Sequence, residues 1–188
     1  YSLEANNLNL TLNEFNNMLF DGFVISDLFK EIIAKIGENI ILSKLIIIQK
    51  SNNAIISQYI HNAYRKNIGK IAVTLKFKVN EITQEAKLLG KNLCMHIAAS
   101  KPLAININQL DKKLIEKEKE VQLETIKASG KPDNIIDKIL DGKMKKFYSE
   151  STLLHQKYIL DPEKTIEQVI FEFSKNNTFD IIDYNLVF

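Results

Sequence analysis

Gly69-Lys70-Ile71-Ala72-Val73-Thr74-Leu75-Lys76-Phe77-Lys78-Val79 decides the class of fold. Ile71, Val73, Leu75, Phe77 and Val79 alternate strictly with Ala72, Thr74, Lys76 and Lys78. A period of two with one apolar and one polar side predicts an antiparallel strand, buried on one face and wet on the other. Working back from it, residues 54–61 read as a second strand. Residues 40–49, dense in Ile and Leu, read as a buried third strand. Residues 26–36 carry Leu28, Phe29, Ile32, Ile33 and Ile36 at helical spacing, with Ser26 placed to cap the start and Gly37 to stop the end. A helix followed by three strands makes a compact three-stranded unit. The polar, Asn- and Leu-rich residues before about position 17 predict a short helix or a lead-in.

Working forward, residues 81–100 predict a helix lined by Ile82, Ala86, Leu89, Leu93, Met95, His96 and Ile97, with Pro102 ending it. Residues 111–129 form a charged helix with a narrow stripe of Leu110, Leu114, Ile115, Val121, Leu123 and Ile126. Gly130 and Pro132 then mark a turn. A second helix follows, with Ile135, Ile136, Ile139, Leu140, Met144, Phe147 and Tyr148 spaced by threes and fours. Two amphipathic helices joined so tightly fold back antiparallel, which predicts a projecting coiled-coil hairpin at about 111–149. A helix at 165–173 and a strand at 179–188 close the chain. A helix followed by an Ile-rich strand thus occurs near 26–49 and again near 165–188, which suggests two related halves. The class is α+β, with subdomains expected at 1–80 and 81–188, small antiparallel sheets packed on helices, and the hairpin inserted in the second.

Composition excludes several functions. The formal net charge of +2 over 188 residues lacks the basic stripe of a nucleic-acid binder. A single cysteine excludes a disulfide framework and a Cys-only metal site. No apolar run approaches the roughly 18–20 residues of a membrane span, and no signal peptide is visible. The chain opens on Tyr1, which suggests a fragment or a processed form.

The stretch Cys94-Met95-His96-Ile97-Ala98-Ala99-Ser100-Lys101-Pro102 invites an enzymatic reading. On a helix, however, Cys94 and His96 point about 200° apart, and no third catalytic group or oxyanion site accompanies them. Core filling is the better reading of Cys94. Gly69-Lys70 and Gly90-Lys91 lack the second glycine and the Ser or Thr of a phosphate loop. His61 and His155 are isolated, which leaves no zinc constellation, and a lone loop histidine is expected to be solvated. Lys143, Lys145 and Lys146 read as a solvated face near a helix end. No cofactor, metal or catalytic residue is expected.

Several motifs in one order carry a resemblance. They are Ala34-Lys35-Ile36-Gly37-Glu38-Asn39-Ile40, Tyr59-Ile60-His61 before Ile68-Gly69-Lys70-Ile71-Ala72-Val73, and Met95-His96-Ile97-Ala98-Ala99-Ser100-Lys101-Pro102. Glu116-Lys117-Glu118, Ser129-Gly130-Lys131-Pro132, Gly142-Lys143-Met144-Lys145-Lys146-Phe147, Leu153-Leu154-His155-Gln156 and Asp161-Pro162 follow. Over roughly 26–188 this series resembles the elongation factor Ts family. The resemblance implies a non-enzymatic guanine-nucleotide exchange factor in translation. Its partner would be elongation factor Tu, GDP-bound or nucleotide-free, and it would act in the bacterial cytoplasm or an organellar matrix or stroma. It implies that Ile36 and Gly37 lie against the nucleotide-binding domain of Tu and that His61 faces its third domain. The loop after His61 is longer than the family spacing. The family's N-terminal helical domain and its Thr-Asp-Phe-Val motif are not found in these residues. Asp21-Gly22-Phe23-Val24 has similar letters but sits too close to the first helix, and is read as a chance match. The expectation is a module that binds Tu but exchanges nucleotide poorly. The alternative is a structural module that self-associates through the hairpin, for example as a homodimer.

Overall fold

The computed structural model describes residues 9–49, 51, 54–130 and 132–188. They fall into two compact units, one ending at Ser51 and one running from Asn52 to Phe188.

In the first unit, α1 (Leu12–Asn16) begins at a capping box, in which Thr11 Oγ1 accepts from Glu14 N–H and the Glu14 carboxylate accepts from Thr11 N–H. β1 (Leu19–Phe20) and β2 (Phe23–Val24) form a minimal hairpin. Its two turn residues, Asp21 and Gly22, have φ of 52° and 83°, as a type I′ turn demands. The Asp-Gly-Phe-Val letters are therefore explained by the turn. The chain runs directly into α2 (Ile25–Ile36). This helix starts one residue before the expected Ser26 cap, with Val24 at the cap position and no side-chain bond there. It stops where expected: Gly37 takes φ 72° and its N–H donates to Ile33 O at 2.9 Å.

The expected strand at 40–49 is not formed. These residues lie in no ladder, Ile41 is 75% exposed, and none of the run is fully buried. β-Propensity measures how a side chain packs on cross-strand neighbours, so it is silent where no edge receives the segment.

In the second unit, β3 (Ala54–Arg65), β4 (Ile68–Lys78) and β7 (Asp180–Val187) form an antiparallel sheet in the order β3-β4-β7. Both edges of β4 are occupied by β3 and β7. The sheet thus takes strands from both expected subdomains, and the compact division lies at 51/52 rather than 80/81. Ser57↔Leu75 and Tyr59↔Val73 set the β3 register, and Leu75↔Tyr184 and Val73↔Leu186 set that of β7.

Helix α3 (Gln84–Ser100) covers the apolar face of this sheet. Thr83 Oγ1 accepts from Ala86 N–H at 3.1 Å and starts the helix. Ala86, Leu89, Leu93, Cys94 and Ile97 face Val73, Leu75 and Phe77 in one core. Phe77 stacks on Phe179 at 4.2 Å, and Phe173 of α6 (Ile166–Phe173) meets Phe179 edge-on at 5.7 Å. Gly90 lets helix and sheet approach closely. A Cβ there would meet the Phe77 ring at 2.5 Å and Ser57 Oγ at 2.6 Å. The helix ends because Lys101, which precedes Pro102, leaves the right-handed region for φ 46°.

The helical hairpin is α4 (Lys112–Ala128) and α5 (Asp133–Ser151), joined through Gly130 at φ 67°. Ile126, Ile136, Leu140 and Met144 are its core. Lys143 Nζ donates to Gln122 Oε1 across the two helices at 2.8 Å. The chain leaves for the hairpin and returns from it side by side. Leu103 N–H donates to Ser151 O, Leu153 N–H to Ala104 O and Leu154 N–H to Ile105 O, all at 2.8–3.0 Å. Those three bonds make the hairpin an insertion with a closed base. Between it and α6 lies a small ladder of β5 (Lys157–Tyr158) and β6 (Asp161–Thr165). The architecture is α+β.

Two glycines predict opposite outcomes. Gly90→Ala should lower the unfolding free energy by about 1–3 kcal/mol, because the helix must move off Phe77. Gly142→Ala, exposed on α5 with open space around it, should raise it by roughly 0.5–1 kcal/mol. Urea unfolding of both variants checks the pair.

Candidate functional site

The apparent reactive cluster is a structural joint. Cys94 is fully buried in the core, and burial pushes its thiol pKa up to about 12. A thiol held protonated in this way is a poor nucleophile. His96 is also fully buried. Its Nδ1 accepts from Ile159 N–H at 3.4 Å, which leaves the proton on Nε2 to donate to Gln156 Oε1 at 2.9 Å. The Gln156 amide in turn donates to Glu150 O at 2.6 Å and to Ser100 O at 3.4 Å. One buried imidazole and one buried amide therefore tie the end of α3 to the end of α5 and to the β5 turn. Burial holds the His96 pKa below its ordinary value, and the Gln156 bond opposes this more weakly. Lys101 departs from the cluster altogether, its Nζ lying 4.9 Å from the centre of the Phe188 ring.

The other tempting features also have structural roles. Gly69 and Gly90 serve close packing, against the Ile60 side chain and His61 O for the first and against Phe77 for the second. His155 is half-buried and pairs through Nδ1 with Thr152 Oγ1 at 2.8 Å, against the expectation of a solvated loop side chain. Thr152 Oγ1 itself donates to Tyr148 O, so this pair secures the last turn of α5. Among the described residues, no group of three or more His, Cys, Asp or Glu side chains could hold a metal ion. No helix among them is long and apolar enough to cross a membrane.

The three residues expected at a protein interface are all at the surface. Ile36 is 53% exposed at the end of α2, and Gly37 follows it with open space on the side a Cβ would occupy. Gly37 is thus required by its left-handed backbone. Both residues belong to the first unit and His61 to the second. His61 is exposed on β3 opposite Ile71, where the sheet runs out toward the β3–β4 turn. The extra loop residues noted after His61 extend the ladder: β3 continues to Arg65 and β4 resumes at Ile68, with a bulge between Ala63 and Arg65. Sequence reasoning missed two partners, Gln156 for His96 and Tyr59 for His61. The Tyr-x-His spacing on a strand signals the second, since residues two apart share a face. No local signal gives the first.

Ile36, Gly37 and His61 are thus exposed on a scaffold whose Cys94 and His96 are buried. The elongation factor Ts family model matches residues 3–186. The elongation factors Ts of Sinorhizobium medicae (strain WSM419) and Sinorhizobium fredii are 37% and 38% identical over 155 and 154 residues, which is 82% of this chain and 50% of each relative. That of Caulobacter sp. (strain K31) is 36% identical over 155 residues, 82% of this chain and 49% of its own. The chain belongs to the elongation factor Ts family. It spans about half the length of the curated relatives it matches.

Two measurements test the buried joint. Cys94 should resist a thiol reagent in the native protein and react quickly once urea unfolds it. The unfolded His96 titrates near pH 6.5 and the folded one lower, so the native state binds fewer protons at this residue. Its contribution is complete above about pH 6.5 and is lost as pH falls from there through the folded-state pKa. The urea midpoint should therefore drop between about pH 7 and pH 5, and His96→Gln should flatten that slope.

Proposed function

We propose that this chain binds elongation factor Tu and serves guanine-nucleotide exchange on it, by shifting affinities rather than by covalent chemistry. Family membership over residues 3–186 carries this reading. The exposure of Ile36, Gly37 and His61, at the positions of the family's contact motifs, supports it. Linkage fixes the form of the activity: a factor that binds empty Tu more tightly than GDP-bound Tu must weaken GDP by the same ratio in the ternary state. The place of action is where translation runs, the bacterial cytoplasm or an organellar equivalent. The Thr-Asp-Phe-Val sequence is not among residues 1–188. These residues tested alone therefore dock on Tu and speed GDP release only weakly.

Release of a fluorescent GDP analogue from Tu tests the activity. The 188-residue polypeptide should give a small acceleration; acceleration equal to that of a complete elongation factor Ts would contradict the reading. Ile36→Ala and His61→Ala should each weaken binding by about 1–2 kcal/mol, roughly 5- to 30-fold, with unchanged urea midpoints.

A further inference from the structure

We infer that Tyr59 is a positioning residue for the partner contact, acting through His61. Its hydroxyl donates to His61 Nδ1 and holds the imidazole proton on Nε2, where it is offered to a hydrogen-bond acceptor on the partner. This rests on the reading of His61 as a contact residue.

The geometry is local and complete. Tyr59 and His61 are two apart on β3, so both side chains leave the same face of the sheet. Tyr59 O–H lies 3.0 Å from His61 Nδ1, with ring centres 6.0 Å apart. Tyr59 is half-buried and packs on the main core opposite Val73, while His61 is exposed opposite Ile71. An anchored ring therefore reaches out to a free one. The backbone is held too. A Cβ on Gly69 would meet His61 O at 2.7 Å and the Ile60 side chain at 2.5 Å, so the facing strand lies tightly against this point of β3.

The direction of the bond follows from acidity. A phenol is a much better donor than a neutral imidazole N–H, and an imidazole nitrogen is a better acceptor than a phenol oxygen. The bond is O–H to Nδ1, and the tautomer follows: Nδ1 bare, Nε2 protonated. Among the described residues Nε2 has no protein partner. The ring thus offers one donor outward, which selects a carbonyl or carboxylate oxygen opposite it. A free imidazole would divide its proton between two nitrogens and lose part of that selectivity.

Tyr59→Phe keeps the packed ring and deletes only the hydroxyl. Nitrogen-detected NMR of the full 188-residue chain at alkaline pH reads the tautomer of each of its three histidines. His61 should be protonated on Nε2 in the parent and become a tautomer mixture in Tyr59→Phe. Binding to elongation factor Tu should weaken by about three- to tenfold, with no shift in the urea midpoint. Adding Tyr59→Phe to His61→Ala should weaken binding no further. A parent His61 protonated on Nδ1, or a tautomer unmoved by Tyr59→Phe, overturns the inference. So does unchanged binding in Tyr59→Phe while His61→Ala weakens it, and then the contact role of His61 stands. If neither substitution changes binding, the contact role of His61 fails first and the inference fails with it.

Discussion

The close approach of α3 to the three-stranded sheet at Gly90 governs the second unit. With Phe77 and Ser57 filling the space a side chain would need, the helix sits low enough for Leu93, Cys94 and Ile97 to share one core with Val73 and Leu75. Phe179 stacks on Phe77 from the chain's end and brings Phe173 of α6 with it. The end of α3 is thereby fixed where His96 meets Gln156 and Ile159. The closed base of the helical hairpin depends on the same region, since Gln156 also binds Glu150 O. Strand β3 and the inserted hairpin are thus carried by one packed contact.

Polar groups in this core act as fasteners. A buried imidazole is costly unless both nitrogens are satisfied, and His96 has a backbone donor on one side and an amide acceptor on the other. Asn177 works in the same way near the surface. Its side chain accepts from Asn80 N–H and Glu81 N–H at 3.1 Å each and donates to Glu81 O at 2.7 Å, clipping the turn after α6 to the turn before α3. These bonds join segments some 60 to 97 residues apart. They define a unique arrangement that apolar packing alone would specify less sharply.

Legibility in the sequence followed the range of the interaction. The alternation of Ile71 to Val79 gave β4, and the Gly130 and Pro132 signals gave the hairpin turn. Gly37 marked its helix end, and the isolation of the Cys94 cluster from a third group was visible from spacing alone. What failed was long-range pairing. The Ile-rich run at 40–49 looks like a strand by composition, but β7, from the other end of the chain, is the second neighbour of β4. Nothing local distinguishes a strand that finds an edge from one that does not. The same limit hid the His96–Gln156 pair. For the candidate site, the exposure of Ile36, which the helical spacing groups with the apolar stripe, and the link from Tyr59 to His61 both needed coordinates.

The proposed affinity exchange on a GTPase partner is tested most directly through linkage. Binding of the 188-residue chain to elongation factor Tu is titrated by calorimetry, once with nucleotide-free Tu and once with excess GDP. Tight binding to the empty protein, weakened markedly by GDP, is the predicted result. Equal affinity in both titrations, or no binding in either, would contradict it.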